Sequence, residues 1–473
     1  MRDFPILRIH PGRVEVLGTF ADMQAAFFSP DPKAVARIER ATTEGALGIV
    51  AHFYMDPELQ SVLHAVKSPR VHIADSLAMA SAAIRMAEAG AQTIAILGVD
   101  FMAENVRALL DRGGFEHIPV LRLSREPIGC TLAEAADAPA YDAFLDTAAA
   151  APSAAHVIYV NTSLQAKARA AAKLATVTCT SSNVVRTLVE LGIRRPEARL
   201  FFGPDAYMGA NIATLLEALG QDDNNDALQT LHPQLSAALA RDLAARFSYF
   251  TQGVCVVHHA FGADVAERIA SDYADAHVTA HFEVPGEMFR LAQRAAQQGR
   301  GVVGSTSHIL NYITDAATRS SSRRFILGTE TGMATAIIHS LKEALPPNAA
   351  PIDLIFPVAT EAVTPSAALT SGTAALPLLP GARASEGCST GGGCATCPFM
   401  KMNRLETLLS LAECAIAGTL TRASLSPFEG YEARYPASTL DLGPGIQSMV
   451  EMQHFQATGH FSETFLAHVH RPK

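Results

Sequence analysis

An α/β chain with short parallel sheets, repeated in three similar blocks, is the fold class this sequence predicts, and three observations predict it. Short β-rich apolar runs alternate with Ala/Leu-rich helical stretches, the alternation recurs three times, and the apolar runs end in polar residues. Strands that alternate with helices make βαβ units, whose strands pair in parallel.

The first block reads GALGIVAHFY, SLAMASAAIRMAEAGA, QTIAILGVDF and MAENVRALLDRGGF, followed by the strand-like PVLRLS. The second reads AAHVIYVNTS, ATVTCTSSNVVRTLVELGI and ARLFFGPDAYMGANIATLLEAL. The third reads DAHVTAHFEV, PGEMFRLAQRAAQQGRGVVGSTS and RRFILGTETGMATAIIHSL. Domains are accordingly expected at 1–128, completed by the C-terminal segment 404–473, at 129–254 and at 255–403. Residues 220–244 and the Ala/Pro/Ser/Gly-rich 344–393 read as insertions, the latter looping across the surface.

Ligands of open α/β sheets bind beyond the carboxyl ends of the strands. Those ends carry His52 and Tyr54, Asp75 and Ser76, Asn161, Thr180 and Ser181, His281 and Glu283, and Ser305 and Thr306. Three similar domains can point these ends at one shared centre.

The 473 residues carry a net charge of −9 and are 49% hydrophobic. The hydrophobic share supplies an ample core, and the acidic balance argues against a nucleic-acid surface. Seven cysteines are too few for a disulfide scaffold and fit a reducing compartment. The opening MRDFPILRIHPGRVEVLGTF has charges and prolines at short intervals, unlike a secretory or transit segment. With no long uncharged apolar run to span a membrane, the expected location is the cytoplasm, with no membrane partner.

CSTGGGCATCPFMKMN at 388–403 holds three cysteines. Its Cys394-x2-Cys397 spacing is locally compatible with zinc, a redox dithiol or an iron–sulfur cluster. Across the whole chain, Cys130, Cys255 and Cys397 enter at comparable places, one per block. Three thiolates spread in this way suit a [4Fe–4S] cluster with one open iron; three unrelated buried cysteines are the plainer alternative.

Taken in order, AHFYMDPELQ, ADSLAMA, GVDFMAENV, YVNTS, TCTSSNV, FGPDAYMGANIA, GVCVVHHAF, AHFEVPGEM, GSTS, GTETGM and CPFMKMN resemble the quinolinate synthase family. The extra loops and MVEMQHFQATG resemble its longer, plant-like branch. The resemblance implies three α/β domains around a pseudo-threefold axis with a [4Fe–4S] cluster at the centre, ligated by Cys130, Cys255 and Cys397. It implies a transferase-class condensation of iminoaspartate with dihydroxyacetone phosphate to quinolinate, phosphate and water in NAD biosynthesis. An L-aspartate oxidase or dehydrogenase would supply the iminoaspartate.

By the same resemblance, His52, Ser76 and Ser181 match carboxylate-binding positions, and Asn161, Ser305 and Thr306 match phosphate-side contacts. Tyr54, Tyr159, His281 and Glu283 match the residues that move protons, with His258 behind them. Ser76 also reads as a helix cap. The chain departs from the commoner family pattern at Phe282, where Pro is usual, and at Tyr207-Met208, where Asn-Leu is usual. A hydro-lyase with an open cluster would fit the three cysteines equally, and a zinc module would fit 388–397; both leave AHFY, DSL, YVNTS and GSTS unexplained. A disulfide of Cys388 or Cys397 with Cys394 is a further expectation at this loop.

Overall fold

The computed structural model describes residues 4–17, 29–221, 228–229, 231–320, 322–357, 396–420, 426–433, 435 and 440–469. Its strands, in chain order, are β1 (Ile6–Ile9), β2 (Val14–Leu17), β3 (Leu47–His52), β4 (Val71–Ala74), β5 (Thr93–Leu97), β6 (Val120–Arg122) and β7 (Ala154–Tyr159). They continue as β8 (Ala175–Cys179), β9 (Arg199–Gly203), β10 (Phe247–Tyr249), β11 (His277–His281), β12 (Gly301–Gly304), β13 (Arg324–Gly328) and β14 (Ile352–Ile355). The chain forms two compact bodies, one of Met1–Ile128 with Val256–Ala433 and one of Gly129–Cys255 with Arg434–Lys473.

The first body contains two sheets. One has the order β4-β3-β5-β6, parallel throughout. All six residues of β3 and all five of β5 are buried, because helices cover both faces of a parallel sheet and leave no polar side. That is why these strands read as unbroken apolar runs. Helices Ser76–Glu88 and Asp100–Arg112 pack on each other and on β3 and β6.

The other sheet has the order β12-β11-β13-β14-β1-β2. Its first four strands are parallel, and β1 and β2 add an antiparallel edge. Arg8 on β1 forks onto the Asp353 carboxylate of β14, at 2.7 and 3.0 Å. Leu7, Ile9, Ile309, Phe325, Ile337 and Leu354 belong to the core beneath. Thus the stretch read as a surface insertion from residue 344 begins with a buried strand, IDLI, too short to stand out beside its proline neighbours; 358–393 lies outside the described residues.

The second body holds the sheet β10-β9-β7-β8, again parallel. The C-terminal segment divides. Helix Leu405–Ile416 packs on Pro32–Thr43 in the first body, whereas Gly443–Thr458 packs on Leu164–Lys173 and β8 in the second. There Thr178 and Ser448 share a buried hydroxyl hydrogen bond of 2.8 Å. Among the described residues no helix is long and apolar enough to cross a membrane.

Candidate active site

In the first body the carboxyl ends of β3, β11 and β13 and the helix starts after β4 and β12 supply polar groups. His52 closes β3 and is buried; the Tyr54 N–H donates to its Nδ1 at 3.2 Å, and the two rings meet edge-on at 4.6 Å. Burial pushes the His52 pKa down to about 4, although Asp75 and Glu283 pull the other way. It is therefore neutral, and with Nδ1 accepting, its proton sits on Nε2.

His281 closes β11 in the same way. Glu283 N–H points at its Nδ1 at 3.4 Å, and burial pushes its pKa down to about 3. His258 stacks on His281 at 4.8 Å and reaches Glu283 Oε2 with Nδ1 at 3.0 Å. The other ring nitrogen of His258 lies 3.1 Å from Thr329 Oγ1; that hydroxyl lies 3.1 Å from Tyr54 Oη, which lies 3.0 Å from Thr306 Oγ1. The result is a continuous series, Glu283–His258–Thr329–Tyr54–Thr306.

With a neutral His258 ring beside an ionised Glu283, donation runs from Thr306 to Tyr54, Tyr54 to Thr329, Thr329 to His258 Nε2, and His258 Nδ1–H to the Glu283 carboxylate. A proton taken up at one end can be released at the other. Burial, helped by the charge of Glu283, raises the Tyr54 pKa well above its ordinary value, so the phenol stays protonated and able to donate.

Two helix starts flank this series. Asp75, not Ser76, caps the helix Ser76–Glu88, accepting from Ala78 N–H at 3.2 Å, which leaves the Ser76 hydroxyl clear of the capping role expected for it. Ser305 caps the helix Thr306–Arg319 and is matched by His308 in a reciprocal capping box. Ser307 Oγ donates to Asp75 Oδ2 at 3.0 Å and ties the two starts together. Helix N-termini favour anions.

The turn after β13 is held from two sides. Glu330, 1% exposed, accepts from Cys397 N–H at 2.8 Å and from Gly332 N–H at 3.2 Å, and burial raises its pKa to about 8. A Cβ at Gly332 would lie 3.0 Å from both Met55 O and the Tyr54 carbonyl carbon. Only glycine lets the two backbones approach this closely.

In the second body Tyr159 closes β7, buried, and Asn161 follows. The buried ammonium of Lys167 donates to the carbonyls on either side of Asn161, Val160 at 3.1 Å and Thr162 at 2.5 Å. Ser181 stands half-buried in a turn closed by Thr180 N–H on Asn183 Oδ1 at 2.8 Å. Asp205 caps the helix Ala206–Leu219, so the altered Tyr207-Met208 pair is the first turn of a capped helix.

Cys130 occupies the position just before the helix Thr131–Asp137, and the Thr131 hydroxyl donates to Val254 C=O at 2.8 Å. One hydrogen bond thus joins the chain neighbours of Cys130 and Cys255. Cys130, Cys255 and Cys397 are half-buried and outside disulfides, whereas Cys179 is fully buried at the end of β8. Burial pushes the Cys179 thiol far up, which keeps it from serving as a thiolate. Cys388 and Cys394, with their expected disulfide, lie outside the described residues.

The first body therefore gathers His52, Tyr54, Ser76, His281, Glu283, Ser305, Thr306 and Cys397, and the second gathers Tyr159, Asn161, Ser181, Cys130 and Cys255. Thr329 and Glu330 were not singled out from the sequence, although both follow β13 directly and the strand-end rule reaches them. Gln60 and Lys167 carry no such signal, since their partners are backbone carbonyls that only the folded chain brings to them.

A family model described as "Quinolinate synthetase A protein" matches residues 36–416. A protein of Arabidopsis thaliana named "Quinolinate synthase, chloroplastic" is 42% identical over 96% of this chain and 65% of its own length. A Nicotiana tabacum protein of the same name is 42% identical over 99% of this chain and 67% of its own. "Quinolinate synthase" of Chlorobaculum parvum is 30% identical over 60% of this chain and 68% of its own length. The chain spans about two thirds of the length of the plant relatives. Their names place them in the chloroplast, which overturns the cytoplasmic location expected above; acidity and scarce cysteine suit that compartment equally and never selected cytoplasm.

Proposed function

Because the chain belongs to the quinolinate synthetase A family, we propose that it condenses iminoaspartate with dihydroxyacetone phosphate to quinolinate, phosphate and water, a step of NAD biosynthesis. The observation that carries this reading is the series Glu283–His258–Thr329–Tyr54–Thr306, ending beside two tied helix starts. Condensation, phosphate loss, ring closure and dehydration each move protons, and the series can take and return them without solvent.

Neutral His52, with its proton on Nε2, donates to a substrate carboxylate; Ser76 and Ser181 hydroxyls do the same. Ser305 and Thr306 at a helix start, with Asn161, hold the phosphate, where backbone N–H groups favour the dianion without a lysine. Tyr54 and Tyr159 deliver protons to oxygens that leave. Glu283, seated between His258 and His281, accepts them.

The cysteines fit an iron–sulfur group by their chemistry: three half-buried thiols outside disulfides, with the chain neighbours of Cys130 and Cys255 joined by the Thr131–Val254 hydrogen bond. Cys130, Cys255 and Cys397 would hold a [4Fe–4S] cluster, which supplies a Lewis-acidic iron to a substrate oxygen. Glu330 fixes the Cys397 backbone. Iminoaspartate is unstable in water, so a separate L-aspartate oxidase or dehydrogenase supplies it. The names of the plant relatives support a plastid setting.

Anaerobic, iron-loaded protein given both substrates is expected to release phosphate only when both are present, with quinolinate as the product. Phosphate released from dihydroxyacetone phosphate alone, with no quinolinate, refutes the condensation.

A further inference from the structure

We infer that Gln60 is a positioning residue of the proposed reaction, clasping the loop that carries Tyr54 to the turn that carries Thr329. It lies on the helix Pro57–Ala65 and is fully buried. Its side-chain amide nitrogen lies 2.6 Å from Phe53 O, 2.8 Å from Met55 O and 2.6 Å from Gly332 O. The first two carbonyls flank Tyr54; the third belongs to the turn beginning at Thr329.

Three carbonyls around one nitrogen leave no choice of amide orientation, since an oxygen there would face three acceptors. The amide oxygen is buried with no hydrogen-bond partner among the described residues. A buried unsatisfied oxygen costs stability, so the residue serves the alignment of the loops and not its own satisfaction. The close backbone contact at Gly332 makes that alignment tight, and the distance it sets is the 3.1 Å between Tyr54 Oη and Thr329 Oγ1. Lys167 repeats the device in the second body, donating to the carbonyls on both sides of Asn161.

The inference rests on the reading of Tyr54 as a proton donor, and its test has one arm that does not. In iron-loaded protein, Gln60→Met is expected to lower kcat roughly tenfold or more with KM nearly unchanged, because misaligned proton transfer slows chemistry and not binding. Gln60→Glu, which turns a carboxylate toward the three carbonyls, serves equally if the methionine variant does not fold. In the Tyr54→Phe background the same substitution is expected to cost almost nothing further. Full multiplication of the two losses overturns the inference, since it means that Gln60 does not act through Tyr54.

The second arm is hydrogen exchange. The amides of Tyr54, Met55 and Gly332 are expected to exchange faster in Gln60→Met at an unchanged melting temperature. Unaltered exchange there overturns the clasp. If the parent protein makes no quinolinate, the proposed function fails and exchange alone still decides the role of Gln60.

Discussion

Tyr54 stands between two threonine hydroxyls, and in the proposed reaction it stays protonated until a substrate oxygen needs the proton. Tyr54→Phe keeps the ring and its edge contact with His52 but breaks the series at its middle. Steady-state assays of the iron-loaded variant should show kcat lowered by about 100-fold, the usual worth of a positioned acid, with KM little changed. Equal losses in Tyr54→Phe and in a remote surface variant contradict the assignment.

Buried neutral histidines make a second prediction at this scale. His156 accepts or donates one hydrogen bond with Tyr141 Oη at 2.9 Å, and burial pushes its pKa from 6.5 down to about 3. As pH falls below 6.5 the unfolded chain takes a proton that the folded chain refuses. Stability present above pH 6.5 is therefore lost steadily down to about pH 3, at about 1.4 kcal/mol per pH unit for each such histidine. Urea unfolding between pH 7.5 and 5 should show this decline, with a shallower slope in His156→Leu; an identical slope contradicts it.

At the scale of elements, the chain's apolar runs were legible wherever burial on both faces left polar residues only at a strand's end, as in β3 with His52 and β5 with Thr93. Chain order could not show that β1 and β2 pair beside β14, because sheet neighbours far apart in sequence are chosen by tertiary packing. Strand ends pointed to His52, Tyr54, His281 and Glu283 through the rule that parallel sheets bind ligands at those ends. Gln60, Thr329 and Glu330 escaped because their meaning is a hydrogen bond to a distant partner: Gly332 at 272 residues, Tyr54 at 275 and Cys397 at 67, respectively. None of these separations leaves a periodic trace. Gly332→Ala tests the close turn directly. The added Cβ would lie 2.7 Å from Glu330 Oε2 and 3.0 Å from the backbone at Tyr54 and Met55, and calorimetry should show a loss of about 1–3 kcal/mol, against almost none for Gly12→Ala, an exposed position with nothing within 4 Å of the added Cβ and no positive φ.

For the whole molecule, the three cysteines are the claim with the widest reach, since each stands in a different stretch of chain. Iron analysis and absorbance at roughly 400–420 nm should show the cluster lost in Cys130→Ser, Cys255→Ser and Cys397→Ser alike. Cys179→Ala should retain it, because that thiol is buried and held protonated. Iron that survives in any of the first three variants removes that residue from the ligand set.

The reaction itself is the central claim, and the carbon skeleton of the product tests it most directly. The measurement is the mass of the pyridine dicarboxylate made by iron-loaded protein from unlabelled iminoaspartate and uniformly carbon-13-labelled dihydroxyacetone phosphate. The account predicts quinolinate that carries every labelled carbon, with phosphate released in equal amount. Unlabelled quinolinate, or none from a sample with its full complement of iron, contradicts it.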